Sequence, residues 1–141
     1  MSRRITRPTV TAVTTAAPCP CGLPAPYGDC CGRLHRGEAA APTAELLMRS
    51  RFSAFAVRDE AYLIRTWHPA TRPQDTGIDP GLQWVRLEIR SVTEGGPFHT
   101  HGAVNFSAHF IDRGYPEVLH EHSRFVRHEG AWVYFDALPQ P

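Results

Sequence analysis

The chain has 141 residues, 42% of them hydrophobic and 21% charged, with a formal net charge of +1. That balance suits one globular domain with a small appendage and excludes wholesale disorder. Near-neutrality leaves no electrostatic footprint for nucleic acid or an acidic membrane, and no apolar run approaches the roughly 20 residues needed to span a bilayer.

The first stretch, "MSRRITRPTVTAVTTAAP", has arginines but no apolar block of the kind a secretory signal carries. Residues 1–17 are expected to form a disordered tail, and a cytoplasmic location follows. The next stretch, "CPCGLPAPYGDCCG", holds all four cysteines: Cys19, Cys21, Cys30 and Cys31. Disulfide pairing would need an oxidising compartment, and a Cys30–Cys31 bridge would be strained. Four thiolates on one tight turn can instead close a tetrahedron around a structural zinc ion, leaving no open position for substrate. Pro20, Gly22, Pro24, Pro26 and Gly28 suit a short knuckle wrapping an ion. The residues favour zinc.

"APTAELLMRSRFSAFAVRDEAYLIRTWHP" reads as two helices. Leu47, Met48, Phe52, Ala54 and Phe55 form an apolar stripe on the first. Asp59 caps the second, which carries Leu63 and Trp67 four apart and ends at Pro69. A Pro-, Gly- and Asp-rich loop follows, and then the period changes to two. In "LQWVRLEIRSV", Val85, Leu87 and Ile89 alternate with Trp84, Arg86, Glu88 and Arg90. "GAVNFSAHFI" alternates in the same way, with Val104, Phe106, Ala108 and Phe110 on one face. "DRG" and "HEGA" read as hairpin turns, so strands near 101–112, 116–128 and 131–137 should pair antiparallel. Helices followed by a meander of strands make an α+β layout.

The cysteine stretch resembles the SEC-C zinc knuckle. With "LMRSRFSAF", "YLIRTWHP", "EHSRF" and "WVYFDA" after it, the chain resembles the YchJ (UPF0225) family from Cys19 to about Ala137. The resemblance implies a zinc knuckle at residues 18–36 and an NTF2-like (cystatin-like) cone at residues 42–141, a curved antiparallel sheet packed on N-terminal helices. It implies no activity. SEC-C knuckles usually carry a lysine run between their cysteine pairs; here "GLPAPYGD" has none, which argues against RNA or lipid binding.

The family motifs contain Arg49, Arg51, Tyr62, Trp67, His68, Glu121, Arg124 and Asp136. Read functionally, Glu121 is a general base with His68 or Tyr62 as partner, and Arg49, Arg51, Trp67, Arg124 and Asp136 hold a ligand in the cone. Read structurally, Arg49 or Arg51 pairs with Glu121 or Asp136 to fasten the first helix to the sheet, and Trp67 fills core; the residues favour this. Glu121 and Arg124 have opposite strand parity, so both face the cone only if a bulge intervenes. The eight histidines, with His99 near His101 and His120 near His122, fit a polar sheet face better than a second metal site. An adaptor docking a protein through Leu23, Pro24, Pro26 and Tyr27, with a cone that dimerises or holds a ligand, ranks first among functions. A small NTF2-like isomerase, dehydratase or hydrolase ranks second, and nucleic-acid binding third.

Overall fold

The computed structural model describes residues 14–139. Most of the expected tail, residues 1–13, lies outside the described residues. A single 3₁₀ turn, Tyr27–Asp29, leads into α1 (Cys31–His35), followed by α2 (Ala44–Val57) and α3 (Glu60–Arg65). Four strands follow: β1 (Leu82–Glu94), β2 (His101–Asp112), β3 (Tyr115–His128) and β4 (Ala131–Leu138). They form one antiparallel meander in the order β1-β2-β3-β4. The layout is the expected α+β cone of a sheet over helices.

Local chemistry sets the element ends. The Thr43 side chain accepts from the Leu46 amide at 3.1 Å to start α2, and Arg58 ends it with a left-handed φ of 62°. Asp59 accepts from the Tyr62 amide at 3.0 Å to start α3, as its position before the apolar run implies. α3 stops at Arg65, earlier than the expected Pro69. Proline disfavours helical geometry at His68, and the freed backbone pairs with β4 instead: the His68 amide donates to the Tyr134 carbonyl, and the Tyr134 amide to the Thr66 carbonyl, both at 2.8 Å. The β2–β3 and β3–β4 turns both place two residues at positive φ, Arg113–Gly114 and Glu129–Gly130. This is the twist that two-residue hairpins prefer.

The sheet's inner face meets α2 through Val104, Phe106, Ala108 and Phe125, all buried beside Leu47, Phe52 and Leu63. β1 breaks the simple alternation. A bulge between Trp84 and Arg86 puts Trp84 opposite Phe110 and against the core, and leaves Val85, expected inside, 52% exposed. A bulge also lies on β4 at Phe135, not on β3. Glu121, Ser123 and Phe125 therefore keep one face and Arg124 the other.

α2 touches the knuckle, α3 and the sheet at once. A helix with three neighbours cannot confine its polar residues to one solvent face. Ser50, Arg51 and Ser53 are accordingly about as buried as Leu47.

Candidate metal centre and cone cavity

The knuckle is built on backbone hydrogen bonds around the first cysteine pair. The Cys19 amide donates to the Ala25 carbonyl at 3.1 Å, and the Gly22 amide donates to the Cys19 carbonyl at 3.2 Å, with Gly22 at a φ of 93°. Cys30 and Cys31 arrive from the 3₁₀ turn and the first residue of α1. All four Sγ atoms lie within 4.8 Å of one another, with Cys21 and Cys30 3.7 Å apart. A tetrahedron with zinc–sulfur bonds of about 2.3 Å has edges of about 3.8 Å, so the sulfurs stand where a closed four-thiolate site needs them.

The electrostatics agree. Hydrogen bonds from Cys21 and Cys31 hold the Cys19 thiol well below its ordinary pKa, and those same bonds, with burial, push Cys21 and Cys31 up. Metal ligation takes cysteines as thiolates, and a divalent cation would stabilise the negative charge they bring together. The Leu23 amide faces the Cys21 sulfur at 3.5 Å, and the Ser53 hydroxyl of α2 lies 3.6 Å from that of Cys19. Among the described residues, the cysteines are the only group of three or more His, Cys, Asp or Glu placed to hold a metal. The histidines do not assemble: His99 accepts from the Gly96 amide, and His120 meets Ser107 on the outer sheet face.

Three polar contacts fasten the knuckle to the cone. Arg49 donates from Nη1 to the Cys21 carbonyl at 2.8 Å while its Nε pairs with Glu45 at 3.0 Å. Arg65 donates to the Leu34 and His35 carbonyls at 3.1 and 2.9 Å, closing the end of α1. Buried His35 lies 2.9 Å from the Ser50 carbonyl through Nε2 and 2.7 Å from the Tyr27 hydroxyl through Nδ1. A carbonyl only accepts, so Nε2 carries the proton and Nδ1 accepts from Tyr27 in the neutral ring. Ser50 also contacts the Tyr62 hydroxyl at 2.7 Å. Arg49 and Tyr62 are thus parts of this junction, outside the cone's cavity.

The cavity lies between α2 and the inner sheet face, with a volume of about 170 Å³. Met48, Phe52, Phe55, Trp84, Phe106 and Leu119 give it apolar walls, with Arg51, Trp67, Glu121, Ser123 and Tyr134 among its lining. Arg51 is 4% exposed. Its Nη1 donates to the Leu63 carbonyl at 2.9 Å and to Thr66 Oγ1 at 2.8 Å, and its guanidinium lies 4.9 Å from the ring centres of both Trp67 and Tyr134. Burial lowers its pKa to about 10. Glu121 accepts on one carboxylate oxygen from Ser123 at 2.6 Å and from Tyr134 at 3.1 Å. Burial, reinforced by Glu121, pushes the Tyr134 hydroxyl above its ordinary pKa.

The candidate residues therefore divide. Arg51, Trp67 and Glu121 come together. His68 meets the His128 and Phe135 rings edge-on and accepts from the Ala70 amide, so the expected Glu121–His68–Tyr62 group is not assembled. Arg124 and Asp136 form a two-pronged pair at 2.9 and 2.8 Å on the outer face. The expected ion pairs from Arg49 or Arg51 to Glu121 or Asp136 do not form: Arg49 takes Glu45, Asp136 takes Arg124, and Arg51 reaches backbone and a hydroxyl. Sequence reasoning missed Ser123 and Tyr134. Ser123 was recoverable from its shared parity with Glu121; Tyr134 depends on the β4 bulge.

A family model described as the YchJ middle NTF2-like domain matches residues 43–137. A UPF0225 protein of Streptomyces avermitilis is 55% identical over 135 residues, spanning 96% of this chain and 92% of its own length. The chain belongs to the UPF0225 family. A UPF0225 protein of Xanthomonas oryzae is 48% identical over 85% of this chain and 93% of that one. Among solved structures, the SEC-C motif protein RPA3114 of Rhodopseudomonas palustris superposes with a TM-score of 0.74 at 30% identity, covering 87% of this chain and 98% of that one. A SEC-C motif protein of Psychrobacter arcticus gives 0.70 at 28% identity, covering 90% and 86%. This UPF0225 chain thus shares its fold with SEC-C motif proteins. Among its described residues, no helix is long and apolar enough to cross a membrane.

Proposed function

We propose that this UPF0225 protein is a ligand-binding protein: residues 42–139 form a cone that takes one small, largely apolar molecule, and residues 18–36 bind zinc as a structural staple. The observation that carries the reading is the 170 Å³ cavity, slightly larger than the roughly 150 Å³ at which an apolar engineered cavity takes up benzene. Four cysteine thiolates favour zinc and complete its coordination, so the ion serves the fold and no reaction. As a protein-docking patch the knuckle has less in its favour: Leu23 and Tyr27 pack on the cysteine cluster, leaving Pro24 and Pro26 exposed. A catalytic reading retains Glu121 as its base, without His68 or Tyr62 beside it.

Native mass spectrometry of the full chain, purified without chelator and sprayed with and without a small aromatic probe, tests both halves. One zinc per chain and one probe per cone are expected. A mass four hydrogens light with no metal would replace the staple by disulfides, and a cone that takes no probe would overturn the ligand reading.

A further inference from the structure

Arg51 is a buried cation with no carboxylate in direct contact among the described residues. Among the described residues no carboxylate pairs with it, and its only hydrogen bonds run from Nη1. Nε and Nη2 meet no acceptor there, although both belong to a guanidinium at the wall of the cavity. Proteins seldom leave a buried charge in this state, because desolvating an ion without compensation is costly. Glu121 lines the same cavity but is taken up by Ser123 and Tyr134. Its charge favours the cationic form of Arg51 across the cavity, but among the described residues no carboxylate hydrogen-bonds the guanidinium.

A second feature belongs to Trp67, which lines the same cavity. The indole Nε1 of Trp67 is the one buried side-chain polar atom among the described residues without a hydrogen-bond partner. The Trp67 and Tyr134 rings meet edge-on at 5.1 Å and the guanidinium lies against both, 4.9 Å from each centre, which fixes a planar donor against apolar walls. Such an arrangement suits a ligand with an acceptor group at one end and an apolar body.

Resting on the ligand-binding reading above, we propose that the cone selects small apolar monocarboxylates, with the ligand's carboxylate seated on Arg51 and its ring-sized body against Phe52, Trp84 and Phe106. The guanidinium's fork matches a carboxylate's two oxygens. A phosphate dianion would bring a second charge that the cavity has no cation to meet, and Glu121 would repel it more strongly than it repels a monoanion.

The test is a ligand-observed NMR titration of the full zinc-loaded chain with phenylacetate and with its neutral isostere phenylacetamide. Phenylacetate is expected to bind at least tenfold more tightly. Arg51→Met should weaken phenylacetate roughly thirtyfold, as loss of one partner of a buried charge pair does, and phenylacetamide, which loses only a hydrogen bond to its carbonyl, by less than about tenfold. Should Arg51→Met not fold, Glu121→Gln provides the second reading: removing a like charge from the cavity tightens phenylacetate roughly threefold or more and spares the amide. Equal binding of acid and amide, or indifference of the acid to both substitutions, would overturn the carboxylate assignment and leave a neutral-ligand pocket standing. Binding of neither would overturn both.

Discussion

Arg49→Met separates the knuckle's docking from the cone's own stability. The substitution removes the bond to the Cys21 carbonyl at 2.8 Å and the i,i+4 pair with Glu45, while keeping most of the side chain's apolar stem. A hydrogen bond from a charged group contributes about 1.5–3 kcal/mol and a helical ion pair about 0.3–0.5 kcal/mol. The first belongs only to the docked knuckle, and a segment this small folds on metal binding. Its loss therefore appears as weaker zinc binding, by roughly ten- to a hundredfold at 1.4 kcal/mol per decade. The midpoint of the cone measured in excess chelator should barely move, because the knuckle is already undocked in that state. Zinc affinity is read by competition with a chromogenic chelator, and cone stability by thermal unfolding in excess chelator. An unchanged zinc affinity with a destabilised cone would show that Arg49 serves α2 alone and would refute the coupling argument.

Burial holds the His35 pKa below its ordinary 6.5. The unfolded chain then takes up a proton that the folded one refuses, and stability falls as pH drops below about 6.5. His35→Gln should flatten that slope in urea unfolding between pH 7.5 and 5.5; zinc release at low pH is common to both proteins, so the difference isolates the imidazole, and identical slopes would refute it. A Cβ on Gly102 would stand 2.5 Å from the Gly95 Cα and 3.1 Å from the Ala44 Cβ. Gly102→Ala should therefore cost about 1–3 kcal/mol of stability by forcing the β1–β2 turn away from α2, measured by denaturant unfolding. Arg124→Ala, on the outer face, should leave both phenylacetate binding and the thermal midpoint nearly unchanged; a loss of binding would place that face at the ligand site.

The cysteine cluster was legible because its chemistry is local: Cys19 to Cys31 need only a short turn to meet. The Arg113–Gly114 and Glu129–Gly130 turns were legible for the same reason, since each is specified by adjacent residues. Trp84 and Val85 exchanged faces because a bulge shifts parity by one, and nothing in β1's own alternation marks where it falls. The polar residues of α2 were harder. Arg49, Ser50, Arg51 and Ser53 each meet a different neighbour, and which arginine served the knuckle and which the cone depended on a packing angle between elements distant in sequence. The outward face of Arg124 was legible in its parity against Glu121, whereas Asp136, expected in the cone, follows a β4 bulge at Phe135 and pairs with Arg124 instead.

The most direct test of a carboxylate seated in the cone uses the three indole N–H signals of the ¹⁵N-labelled protein during phenylacetate addition. Trp67 carries the unpartnered buried N–H, Trp84 lines the cavity, and Trp132 donates to the Pro42 carbonyl at 3.2 Å away from it. The Trp67 signal should shift most, Trp84 should follow, and Trp132 should stay in place. A Trp132 shift as large as that of Trp67, or no movement at saturating acid, would contradict the site.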